Sequence, residues 1–125
     1  MASASRILIV EDNDFVRMQI MRFLVDAGYA CFEASGAEQG LEQMSPDVAA
    51  VIVDVRMAPI DGFAFIAAMR EHGYAPPVII VTGDQNPDIL VRASALGVVN
   101  VLAKPVQKDR LLAMLARAVA ATPHV

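Results

Sequence analysis

Acid, hydroxyl and amine side chains stand at intervals in an otherwise apolar chain, each at the end of a β-branched run. Glu11 and Asp12 follow Ile7-Leu8-Ile9-Val10, and Asp54 follows Ala49-Ala50-Val51-Ile52-Val53. Thr82 ends Val78-Ile79-Ile80-Val81, and Lys104 comes just after Val98-Val99-Asn100-Val101-Leu102. Drawn together, the carboxylates of Glu11, Asp12 and Asp54 repel one another, and Lys104 alone does not neutralise them. A hard divalent cation with oxygen ligands does. Magnesium is held by few protein carboxylates and keeps waters and a phosphoryl oxygen in its shell. The set then has the parts for phosphoryl transfer: a carboxylate nucleophile, a metal and a lysine to balance charge, and a hydroxyl to donate to a phosphoryl oxygen. Gly83, next to Thr82, leaves room for an incoming phosphate.

These residues meet only if the elements carrying them converge. The four runs are short, rich in β-branched residues and nearly continuous, as strands buried on both faces of a parallel sheet are. Ala30-Cys31-Phe32-Glu33-Ala34 mixes polar and apolar residues and suits an edge strand. Between the strands, Asn13 caps a helix from Asp14 to about Ala27, stopped by Gly28. Ser35-Gly36-Ala37-Glu38 has capping-box spacing and opens a second helix to about Met44. Asp61 precedes a third over Gly62 to His72; Asn86-Pro87 starts a fourth, closed by Gly97; the fifth runs from about Gln107 to Ala121. The alternation predicts an α/β fold with a five-stranded, doubly wound parallel sheet and five helices. In such a sheet the ligand crevice lies at the carboxyl ends of the strands, where every polar residue above falls.

Composition narrows the class. The chain has 125 residues, 56% hydrophobic and 19% charged, with ten Lys+Arg against fourteen Asp+Glu and a net charge of −4. That length predicts a single domain over 1–125, with its core at about 6–121 and looser tails at Met1–Ser5 and Thr122–Val125. No apolar run approaches the roughly 20 residues a bilayer requires, so no membrane span is expected. A net-negative chain lacks the clustered cations that phosphate neutralisation needs, so no nucleic-acid binding is expected of it. The lone cysteine, Cys31, and the absence of an apolar leader predict a cytoplasmic setting.

The order Glu11-Asp12, Asp54, Thr82, Lys104-Pro105 resembles the receiver domain of two-component response regulators, as does the segment Asp54-Val55-Arg56-Met57-Ala58-Pro59-Ile60-Asp61-Gly62. The likeness runs from Arg6 to about Ala121. It implies the flavodoxin-like strand order 2-1-3-4-5. It implies Asp54 as phosphoacceptor, Thr82 and Lys104 in contact with the phosphoryl group, and Mg2+ bound by Asp12 and Asp54, helped by Glu11 and the backbone carbonyl of Arg56. It also implies a cis Lys104–Pro105 bond. Three positions depart from the family pattern: Val101 stands where an aromatic switch is common, Val106 where Phe is common, and proline comes at Pro59 instead of directly after Met57. Arg56 adds a long cation beside the site.

The first helix places Val16, Ile20, Phe23, Leu24 and Ala27 on one face at about 100° per residue, to pack on the sheet. Met18, Met21 and Val25 fall opposite, a flexible apolar stripe suited to docking a histidine kinase or histidine phosphotransfer protein. Leftover apolar surface on the fourth helix, fifth strand and fifth helix suits a homodimer or effector face. Plainer readings fit the rest: Asp61 as a helix cap, His72 and His124 at the surface, Cys31 as a small buried hydrophobe, most methionines as core. The expected function is a phosphoacceptor that catalyses only its own phosphorylation and dephosphorylation. One alternative is a phosphorylation-independent dimerisation scaffold. Another is an aspartyl-nucleophile phosphatase, which would need an acid where Arg56 stands. A flavodoxin-like nucleotide binder would need a Ser/Thr- or Gly-rich first loop in place of Glu11-Asp12-Asn13-Asp14.

Overall fold

The computed structural model describes residues 5–121; His124 and most of both expected tails lie outside them. Elements alternate as β1 (Arg6–Val10), α1 (Asp14–Asp26), β2 (Ala30–Ala34), α2 (Ala37–Gln43), β3 (Val48–Asp54), α3 (Gly62–Glu71), β4 (Val78–Thr82), α4 (Asp88–Ala95), β5 (Asn100–Ala103) and α5 (Lys108–Ala121). The strands form one parallel sheet in the order β2-β1-β3-β4-β5. The expected fold class and strand order both hold.

Period-two alternation along each strand builds two cores. Leu8, Val10, Val51, Val53 and Ile80 face α2, α3 and α4, where Phe65, Ile66 and Met69 are buried with Ile89 and Ala93. Ile7, Ile9, Ile52, Ile79 and Val81 face α1 and α5, against Ile20, Leu24, Leu111 and Leu115. Because both sheet faces are covered, the strands need apolar residues at every position, which is why they read as continuous runs.

Local signals set the helix ends. Asn13 Oδ1 accepts from Val16 N at 3.1 Å and starts α1, and Asp61 Oδ1 accepts from Ala64 N at 2.8 Å and starts α3. Asn86 Oδ1 accepts from Asp88 N at 3.0 Å, with Pro87 already helical (φ −56°, ψ −24°). Gly28, with φ +95°, takes the left-handed conformation that turns the chain out of α1.

Several boundaries differ from expectation. α2 has Gly36 as its N-cap with no side-chain hydrogen bond. Ser35 instead gives its N–H and hydroxyl to Gln39 Oε1, so the Ser35–Glu38 capping box does not form. β5 begins at Asn100, after a buried Val98 and an exposed Val99. Ala27 is exposed as the C-cap of α1. Cys31 is half-buried on an edge strand, and that burial pushes its thiol up to about 11. Met21 is no part of an exposed stripe: it is half-buried among the α1–α5 core, where the turn of α1 brings it toward α5.

Candidate functional site: a carboxylate cluster at the carboxyl rim of the sheet

The register carries the candidate residues to one rim. Val10 pairs with Val53 and Asp54 with Val81, so Glu11 leaves β1 beside the end of β3, and Thr82 lies one step beyond Asp54 on the neighbouring strand. Thr82 pairs with Ala103, which puts Lys104 just past it, and Lys104 N donates to Thr82 O at 2.8 Å.

Lys104 is the hub. Its Nζ donates to Glu11 Oε1 at 2.6 Å and to Asp54 Oδ2 at 2.9 Å. Glu11 is fully buried, Asp54 and Thr82 are nearly so, and Asp12 is exposed at the lip. Asp54 Oδ1 also accepts from Arg56 N at 3.1 Å. Burial, followed by the facing Asp54 carboxylate, lifts the Glu11 pKa to about 7 against the pull of Lys104. Burial works to lower the Lys104 pKa, yet its bonds to Glu11 and Asp54 outweigh that and hold it above its ordinary value.

The donor set fits a hard cation. Glu11, Asp12 and Asp54 each bring a carboxylate oxygen to within 4.8 Å of the others, against a single contacting ammonium. Glu11 Oε2 is buried without a hydrogen-bond partner among the described residues. An all-oxygen, under-neutralised cluster with an orphaned buried oxygen suits Mg2+.

Around the cluster, Thr82 Oγ1 accepts from Asp84 N at 3.0 Å, leaving its own proton to donate. The Arg56 guanidinium is exposed and pairs with Asp84, joining the loop after β3 to the loop after β4. Val106 is buried against the α1–α5 core, and Val101 is half-buried against the other. Lys104–Pro105 is cis, and so is Ala58–Pro59. Asp61 acts as a cap, and His72 is exposed at the end of α3.

Two contributors to the site escaped the sequence reading. A Cβ on Gly62 would lie 2.3 Å from the Asp54 carbonyl oxygen, so a glycine lets α3 start directly against Asp54. Its position after Asp61 signals a helix start but not that contact. Phe15, 86% exposed, lies on the outer side of α1 with Met18 and Val25 and takes the place expected of Met21. Its spacing of three residues from Met18 was the available signal.

A doubly wound sheet with acids, hydroxyl and lysine on one rim defines a phosphoacceptor class. The model of the response regulator receiver domain family matches residues 7–116, and the chain belongs to that family. It is 34% identical over 115 residues to the DNA-binding transcriptional regulator NtrC of Escherichia coli, taking in 89% of this chain and 24% of that one. To the sensory/regulatory protein RpfC of Xanthomonas campestris it is 33% identical over 116 residues, covering 89% and 16%. The chain thus spans a quarter or less of the length of these curated relatives. Among solved structures, a receiver protein from Pseudomonas putida superposes with a TM-score of 0.84 at 30% identity, over 94% of this chain and 99% of that one. Vibrio cholerae chemotaxis protein CheY4 gives 0.84 at 27%, over 92% and 98%. Receivers are phosphoacceptors of two-component signalling, and magnesium is typical of the family. Among the described residues no helix is long and apolar enough to cross a membrane.

Proposed function

We infer that this chain receives a phosphoryl group on Asp54 from a phosphohistidine and catalyses its own phosphorylation and hydrolysis. One observation carries the reading: the Lys104 ammonium reaches both Glu11 and Asp54 inside a buried, under-neutralised carboxylate cluster. An Asp54 carboxylate oxygen attacks phosphorus; the new P–O bond forms as the bond to the donor nitrogen breaks, and its electron pair leaves with the donor imidazole. Lys104 pairs with one phosphoryl oxygen, and the Thr82 hydroxyl donates to another. Asp12 and Asp54, with Glu11 and the Arg56 carbonyl, would hold Mg2+, which supplies neutralisation of the phosphoryl oxygens when bound. In hydrolysis, water adds to phosphorus and the Asp54 carboxylate leaves, releasing inorganic phosphate.

The donor, a histidine kinase or histidine phosphotransfer protein, docks on α1 through Phe15, Met18 and Val25, all exposed. Exposed Leu90 and Val91 on α4 and Val99 before β5 supply a second face for a homodimer or effector, flanked by α5. Intact-mass measurement after incubation with a small acyl phosphate tests the core of this. A gain of one phosphoryl group that requires both Mg2+ and Asp54, and is lost in Asp54→Asn, is expected. A folded, Mg2+-bound protein that stays unmodified would favour a phosphorylation-independent scaffold.

A further inference from the structure

Arg17, in the first turn of α1, is half-buried and ties its own helix to β2 and to the loop after β1. Its Nε donates to Glu33 Oε1 on β2 at 2.9 Å, one terminal nitrogen donates to Asp14 Oδ1 at 2.6 Å, and the other donates to the backbone carbonyl of Glu11 at 2.7 Å. The Glu11 N–H is held in turn by Ala34 O at 3.0 Å. Residue 11 is therefore fixed from both sides, by β2 through its N–H and by Arg17 through its carbonyl. That carbonyl belongs to the peptide joining Glu11 to Asp12. With its N–H held, Glu11 turns its side chain inward to Lys104, and the plane of that peptide sets where Asp12 stands at the lip.

We propose that Arg17 is a positioning residue for the metal pocket, clamping the Glu11–Asp12 peptide so that both carboxylates converge with Asp54. This rests on the reading of the cluster as a Mg2+ site. A rigid, planar fork suits the task, because one guanidinium can satisfy three acceptors simultaneously and an ammonium on a flexible stem holds them less firmly.

The test separates clamping from charge by its sign. Removing a cation near an anionic pocket would, by field alone, tighten Mg2+ binding. Loss of the clamp weakens it, by roughly tenfold, as for other partners that orient metal ligands. Mg2+ is titrated calorimetrically into wild type, Arg17→Met, Arg17→Lys and Glu33→Gln, with melting in EDTA as the folding control. Weaker binding is expected in Arg17→Met and in Arg17→Lys, which keeps the charge but loses the fork; Glu33→Gln, which keeps an acceptor for Arg17, should stay within about threefold of wild type. At saturating Mg2+, phosphorylation of Arg17→Lys by a small acyl phosphate should return to near the wild-type rate. Unchanged or tighter binding in folded Arg17→Met overturns the proposal, and should that variant not fold, wild-type affinity in Arg17→Lys does so. A wild-type protein that binds no Mg2+ would instead overturn the reading of the cluster itself.

Discussion

Replacing Lys104 with Met removes the ammonium that contacts Glu11 at 2.6 Å and Asp54 at 2.9 Å. At an effective dielectric of about 20, each contact is worth roughly 6 kcal/mol before desolvation. Stripping one partner from a buried pair typically costs about 3–5 kcal/mol, because the remaining charge is left uncompensated. The Lys104 side chain is 22% exposed while that of Glu11 is fully buried, so water reaches one partner and the loss falls near about 3 kcal/mol, or about 10 °C in Tm. The size depends on pH. Glu11 has a folded pKa of about 7 against an ordinary 4.5, and removing Lys104 lifts it further by deleting its downward pull. A carboxyl that holds its proton more tightly when folded contributes stability that is full below pH 4.5 and lost as pH rises through 7 and above. Through Glu11, the deficit of Lys104→Met should therefore grow between pH 6 and pH 8 by up to about 1.4 kcal/mol, and at pH 8 added Mg2+ should restore much of it. Calorimetric melts at both pH values, with and without Mg2+, measure this. A deficit equal at pH 6 and 8 and indifferent to Mg2+ would refute the buried-charge reasoning.

Other perturbations follow from the same geometry. Gly62→Ala pushes a methyl to 2.3 Å from the Asp54 carbonyl oxygen and should cost about 1–3 kcal/mol; a wild-type denaturation midpoint would mean that α3 can back away freely. Mg2+ affinity should fall as pH drops below about 7, where Glu11 takes up a proton, approaching about tenfold per pH unit; calorimetric titration at pH 6 and 8 checks it, and an affinity flat across that interval counts against Glu11 as a ligand. Asn13→Ala removes the cap on Val16 N and should lower stability by about 1 kcal/mol in chemical denaturation. Met18→Glu combined with Val25→Glu should slow transfer from a histidine phosphodonor while leaving phosphorylation by a small acyl phosphate unchanged; undiminished transfer sinks the α1 docking face.

Much of the architecture was legible along the chain because burial on both faces of a parallel sheet leaves an unmistakable trace. Val51, Ile52 and Val53 must all be apolar when helices cover both sides. Caps were legible where one side chain reaches its own helix, as Asn13 and Asp61 do. They were misread at Ser35, where Gln39, one turn on, competed for the same donors. β5 was placed two residues early because Val98 and Val99 carry strand-like side chains, although only the approach of β4 decides where pairing begins.

Sequence alone determined which residues could form the rim: acids after β1 and β3, a threonine ending β4 and a lysine after β5. An apolar strand has no packing reason to end in them. Only the tertiary structure decided how they share space. Lys104 spans 93 positions to reach Glu11, and burial with the facing Asp54 carboxylate lifts the Glu11 carboxyl toward neutrality against the pull of that lysine. Met21 turns inward on α1, and Phe15, which carried no expectation, stands exposed in its place, for the same kind of reason. A helical period says which residues share a face, but the neighbour packed against that face, here α5, decides which of them water sees.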